Sequence, residues 1–153
     1  MVKIYLGGDL LMKIRDIMTK DVATLNPNDT VEHAAELMKE YNVGSIPVCN
    51  EDKVIGIVTD RDIAIRSVAE GENAERQIVR AIMSSNPVVA NPEMDVHDAA
   101  KLMADKQIRR LPIVENNHVI GIVALGDLAV QPKLTDNAGI ALESISEPSS
   151  PTI

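Results

Sequence analysis

The sequence predicts a mixed α/β (α+β) fold: two copies of one β-α-β-β-α unit, packed sheet to sheet with pseudo-two-fold symmetry. Three observations predict it. Residues 14–63 align with residues 79–128 without a gap, at a constant offset of 65. Inside each copy the apolar residues pass from helical spacing to short runs bounded by turn formers. The chain is 45% apolar but has no Trp or Phe and two Tyr, so its core must be built from Ile, Val, Leu, Met and Ala.

The self-similarity is dense. Met18 falls on Met83, Pro27 on Pro92, Val31 on Val96, Ala34-Ala35 on Ala99-Ala100, Leu37-Met38 on Leu102-Met103, and Pro47 on Pro112. Val54-Ile55-Gly56-Ile57-Val58 matches Val119-Ile120-Gly121-Ile122-Val123 at every position, and Asp62 falls on Asp127. One such unit leaves apolar faces on both sheet and helices, which a second copy can cover.

Each copy begins with an extended piece, Val22–Leu25 or Val88–Ala90, that leads to a Pro turn. A helix follows, capped by Thr30 or Asp95. Val31, Ala34, Ala35 and Met38 form its apolar face, as do Val96, Ala99, Ala100 and Met103, and the Ala pair lets the helix lie close to a neighbour. Two strands come next, Val43–Val48 and Val54–Val58, or Ile108–Val114 and Val119–Val123. Asn50-Glu51-Asp52 and Asn116-Asn117 suit hairpin turns. Gly56 and Gly121, inside strands, mark places of close backbone approach. A last helix begins near Asp60 and near Gly126. The expected organisation is an N-terminal extension over 1–13, repeats over 14–70 and 79–131, a linker over 71–78, and a tail over 132–153. In that tail Asp136–Ser146 carries a weak helical stripe, and Glu147–Ile153, rich in Pro and Ser, is expected to be disordered. A true start at Met12 would make residues 1–11 an added extension, which mass spectrometry of the native protein tests.

Composition excludes several function classes. A net charge of −8 repels nucleic acid and anionic membranes. The aromatic content cannot build a stacking platform for single strands. Cys49 is the sole cysteine, so no internal disulfide or thiol zinc site is expected, and a reducing cytoplasm fits. No apolar run reaches membrane-spanning length, and the start of the chain is too polar for a signal peptide. Met18, Met38, Met83 and Met103 occupy matching positions and read as core filler. His33, His97 and His118 share no ligand spacing and read as surface residues. No Ser-His-Asp set, Walker loop, dinucleotide fingerprint or acid pair suggests catalysis.

On its motifs the chain resembles a tandem pair of cystathionine β-synthase (CBS) domains, the Bateman module. The likeness rests on Asp16-Ile17-Met18-Thr19, Val43-Gly44-Ser45-Ile46-Pro47-Val48 and Gly56-Ile57-Val58-Thr59-Asp60-Arg61-Asp62. In the second copy it rests on Gln107-Ile108-Arg109-Arg110-Leu111-Pro112-Ile113 and Gly121-Ile122-Val123. It covers about 115 of the 153 residues and is similar above all to stand-alone bacterial CBS pairs. The resemblance implies adenosine-nucleotide binding, AMP foremost, in a cleft between the repeats. It puts phosphate and ribose on Thr59 and Asp62. The base lies against main chain of Val22-Ala23 and Val43-Gly44-Ser45-Ile46-Pro47, and the phosphate reaches Arg109 and Arg110.

The chemistry of these residue types agrees. A carboxylate accepts both hydroxyls of a ribose, and Arg grips phosphate bidentately. A Thr hydroxyl with free N–H groups at a helix start makes an anion site, and Arg61 adds charge. In the second copy Ala124 and Gly126 replace the Thr and Arg, and only Asp127 remains. One strong site and one weak or empty one are therefore expected per chain. Thr59-x-x-Asp62 also has the pattern of a capping box.

The function expected is a non-enzymatic regulatory module with no obligatory cofactor and no metal. It would be a cytoplasmic homodimer, a disc of four CBS repeats, acting in trans on an unidentified protein partner. Two alternatives stand beside it: an interaction module without a nucleotide, and a sensor for NAD, S-adenosylmethionine or a cyclic dinucleotide.

Overall fold

The computed structural model describes residues 4–6, 9–129 and 145. Apart from residue 145, the sequence expectations for Asp136–Ser146 and Glu147–Ile153 lie outside the described residues. In chain order the elements are β1 (Ile4–Leu6), β2 (Asp9–Leu11), α1 (Ile14–Ile17), α2 (Val31–Tyr41), β3 (Ser45–Asn50), β4 (Lys53–Thr59) and α3 (Asp60–Ile63). A π-helical turn (Ala64–Val68), a 3-10 turn (Val79–Ala81), β5 (Ser84–Ser85), α4 (Val96–Lys106), β6 (Arg110–Glu115), β7 (His118–Ala124) and α5 (Leu125–Ala129) complete the order. The class is α+β with small sheets.

The chain divides into two compact units, and each contains the opening segment of the other repeat. One unit comprises Asp21–Val88 and Glu115–Ile120; the other comprises Met1–Lys20, Val89–Val114 and Gly121–Ile153.

In the Asp21–Val88 unit, Thr30 Oγ1 accepts the His33 N–H at 3.1 Å and starts α2. The incoming chain also caps this helix: Val31 N–H donates to Gln77 O and Glu32 N–H to Ala74 O. Asn42 ends it in the left-handed region at φ 53°, which an Asn tolerates. That cap delays the strand, so β3 begins at Ser45 instead of Val43. β3 and β4 pair antiparallel, with Ser45 opposite Thr59 and Val48 opposite Gly56. The turn places Glu51 and Asp52 at φ 50° and 67°, positive at both central residues as a tight hairpin of native twist requires. Val22–Leu25 is not a full strand. It makes one parallel bridge, with Leu25 N–H donating to Pro47 O and Cys49 N–H to Leu25 O.

The third strand of this sheet is β5, from the start of the second repeat, which pairs Ser84 with Ile57 and Ser85 with Gly56. Gly56 is required there. A Cβ would sit 2.5 Å from Met83 Sδ and 3.0 Å from Ser84 O. Leu25, Val31, Ala34, Met38, Ile46, Val48, Val58, Val79 and Ile82 form the buried core. Ala35 does not join it: Val31, Ala34 and Met38 carry the buried line of α2, and Ala35 is exposed beside it.

The other unit repeats the plan. Ile14 N–H donates to Met94 O and Arg15 N–H to Pro92 O. Thr19 bridges Ile122 antiparallel, as Ser84 meets Ile57. A Cβ on Gly121 would lie 2.6 Å from Met18 Sδ. Asp95 caps α4 through the His97 N–H at 2.8 Å, and Gln107 ends it at φ 54°. β6 consequently begins at Arg110, two residues after the expected Ile108. Here both Ala99 and Ala100 are buried, with Ile14, Val96, Met103, Leu111, Ile113, Val123 and Leu128. Among the described residues no helix is long and apolar enough to cross a membrane.

Candidate functional site

The predicted base- and ribose-contacting residues of the first repeat gather at one end of the β3/β4 hairpin. Leu25 makes one parallel bridge to Val48 of β3, and Ala23 packs against the core cluster that contains Ile46. Asp60 N–H donates to Gly44 O at 2.9 Å, which ties the end of β4 to the Val43-Gly44 approach. Ser45 and Thr59 stand opposite one another. Ala23, Val43, Gly44, Ser45, Ile46, Pro47, Thr59, Arg61 and Asp62 therefore lie around the β3/β4 pair and the start of α3; Val22 precedes them in the chain. Arg109, Arg110 and Asp127 belong to the other compact unit.

Ser45 is 7% exposed, and its Oγ has no hydrogen-bond partner. A buried, unmatched hydroxyl costs about 1–3 kcal/mol, and a ligand group at this end of the sheet would relieve it. Thr59 and Asp62 form a full capping box. Thr59 N–H donates to Asp62 Oδ2 at 2.9 Å, and Asp62 N–H donates to Thr59 Oγ1 at 3.0 Å. The hydroxyl keeps its own proton to donate. The second Asp62 oxygen, Oδ1, lies 4.0 Å from Arg66 Nε.

The expectation of free N–H groups at this helix start is corrected. The N–H of Thr59 goes to Asp62, that of Asp60 to Gly44, that of Arg61 to Asp60 Oδ1, and that of Asp62 to Thr59. A short helix start with satisfied donors offers no backbone anion hole. The turn is also not basic by itself. Its two arginines, Arg61 and Arg66, are matched in number by Asp60 and Asp62, and Arg66 Nε faces Asp62 Oδ1.

Two residues of this neighbourhood escaped sequence reasoning. Asp60 packs against Gly44, where a Cβ would lie 3.0 Å from Asp60 Oδ2. Arg66 stands four residues after Asp62, the spacing of a helical ion pair, and that spacing could have found it.

In the second repeat Ala124 N–H donates to Asp127 Oδ2 at 2.9 Å. This is half of the same box, with no hydroxyl to return the bond. Arg109 O accepts from Leu125 N–H, as Gly44 O does from Asp60. Arg109 is exposed and Arg110 half-buried.

The remaining titratable residues have structural surroundings. Cys49 is half-buried, and burial, then Asp52, pushes its thiol pKa up, so it stays protonated. His33, His97 and His118 are exposed by 48%, 42% and 58%.

The family model for the CBS domain matches residues 14–68 and 79–131. The chain is 49% identical over 136 residues to the CBS domain-containing protein YhcV of Bacillus subtilis, covering 89% of this chain and 96% of that one. Among solved structures it is similar to the CBS domain pair of protein MJ0100 in complex with 5′-methylthioadenosine and S-adenosyl-L-methionine. The TM-score is 0.70 at 26% identity, over 78% of this chain and 94% of that one. It is also similar to a hexameric CBS-CP12 protein from bloom-forming cyanobacteria, with TM-score 0.73 and 32% identity, over 82% of this chain and 71% of that one.

Proposed function

The chain belongs to the CBS-domain family as a CBS pair, and from that premise we propose that it is a non-enzymatic regulatory module binding an adenosine nucleotide, AMP foremost. One observation carries the reading: the buried, unpartnered Ser45 hydroxyl opposite Thr59, at the end of the sheet where Asp62 stands. The similar CBS pair of MJ0100 holds two adenosine-containing compounds, which supports the ligand class. Asp62 accepts the ribose hydroxyls, Thr59 donates to the phosphate, and main chain of Val22-Ala23 and Val43–Pro47 lines the base. Asp127, without a hydroxyl partner, leaves the second repeat's site weak or empty. The ligand stabilises one arrangement of the module and shifts its population, and a cytoplasmic protein partner reads the change in trans.

The module is a homodimer in this reading. Ile65 and Val68 follow Asp62 on the same helical stretch and are 45% and 70% exposed. They are assigned to the face a second copy covers.

A second reading has its own observation. Thr59 and Asp62 already satisfy one another as a cap, as a purely structural helix start would. The protein would then be an interaction module without a nucleotide. A thermal-shift panel with AMP, ADP, ATP, NAD and S-adenosylmethionine separates the two. Saturation at 100 times Kd adds about 2.7 kcal/mol, or about 5–10 °C for a domain of this size. A shift with AMP that vanishes in Asp62→Ala supports the nucleotide reading. No shift with any of the five favours the interaction module.

A further inference from the structure

Arg66 occupies an unusual place. It lies in the π-helical turn Ala64–Val68, an irregularity found often at functional sites. Its Nη1 donates to Ile82 O at 3.0 Å and to Met83 O at 3.5 Å. Its Nε faces Asp62 Oδ1 at 4.0 Å. Ile82 is fully buried, and Met83 fills the notch above Gly56. Arg66 thus has one edge fixed on the backbone of the second repeat's opening segment. The other faces the Asp62 oxygen that the capping box leaves over. Asp62 is itself only 12% exposed; Thr59 N–H holds its Oδ2 at 2.9 Å, and Arg66 faces its Oδ1.

We propose that Arg66 is the positioning residue of this site: it aims the Asp62 carboxylate at the ligand and couples ligand binding to the seating of Val79–Ser85. The inference rests on the nucleotide reading above. A planar guanidinium can serve two carbonyls from one nitrogen and a carboxylate from another. A ligand that draws on Asp62 Oδ1 pulls on the same side chain that holds Ile82 and Met83. A lysine cannot do both, because its single ammonium reaches either the carbonyls or the carboxylate.

The test uses the full chain, with AMP as the probe, in wild type, Arg66→Ala and Arg66→Lys. Calorimetry measures affinity, thermal melts measure the ligand-free protein, and amide exchange follows residues 79–85. Both variants are expected to weaken AMP binding by about tenfold or more. Arg66→Lys, which keeps a cation able to meet one of these partners, is expected to melt within about 2 °C of wild type without ligand. If Arg66→Ala does not fold, Arg66→Lys carries the test. AMP should slow exchange at residues 79–85 in wild type and leave it unchanged in the variants. Wild-type affinity in the folded variants would overturn the positioning role and leave the nucleotide reading standing. Failure of wild type itself to bind AMP would overturn both.

Discussion

Asp62 does two jobs with two oxygens. Oδ2 caps the helix through Thr59 N–H at 2.9 Å, and Oδ1, which Arg66 Nε faces at 4.0 Å, is the oxygen proposed for the ligand. A change that deletes the side chain confounds the two, since losing a cap costs about 0.5–2 kcal/mol by itself. Asp62→Asn keeps an acceptor for Thr59 N–H and removes the charge, so it is the cleaner probe of the ligand role. Gly56 and Gly121 make a sharper residue-scale test of the fold. A methyl group at either meets a Met sulfur at 2.5 or 2.6 Å and a backbone carbonyl at 3.0 Å. Alanine at either is expected to destabilise the chain by about 1–3 kcal/mol, read by urea denaturation. Unchanged midpoints would contradict the close approach of the opening segments. Both glycines were legible in the sequence because they sat in matched strands. Arg66 and Asp60 were not singled out, since one more charge in a charged turn carries no mark of its contacts.

At the scale of elements, the caps and hairpins were readable, and the strand starts were off by two residues. Asn42 and Gln107 take left-handed conformations, and a local pattern does not say which polar residue ends a helix that way. The exchange of opening segments was not readable at all. Self-similarity says that Ile14–Thr19 matches Val79–Ser84; it cannot say on which copy each packs, because both copies offer equivalent edges. The exchanged segment Lys13–Ile17 is stapled by charge. Lys13 Nζ contacts Glu93 Oε2 at 2.5 Å, and Arg15 Nε contacts Oε1 at 3.0 Å. Hydrogen bonds from Lys13, then Arg15, hold the Glu93 pKa below its ordinary value. A carboxylate depressed on folding contributes stability above its unfolded pKa, about 4.3, and loses it as pH falls through the folded value. Glu93→Gln is therefore expected to melt below wild type at pH 7. The gap should close as pH falls through the acid range, and a gap that persists at pH 2 would contradict the charge-based staple.

For the whole molecule, the class was legible because a gapless repeat constrains every element twice, and the family because its motifs stand in the chain. Two features of the candidate site were not legible: the Ser45 side chain, read only as backbone, is a buried unpartnered hydroxyl, and the helix-start donors are occupied. The proposed homodimer is tested at Ile65 and Val68, which are exposed. Val68→Glu is expected to shift the protein from dimer to monomer in light scattering, and a monomeric wild type would remove that interface. The central claim is a single adenosine-nucleotide site per chain in the first repeat. Calorimetric titration of AMP into wild type and Asp62→Asn tests it most directly. One site per chain is expected in wild type and none measurable in Asp62→Asn, at unchanged ligand-free melting temperature. Two equal sites per chain, or the same affinity in both proteins, would contradict it.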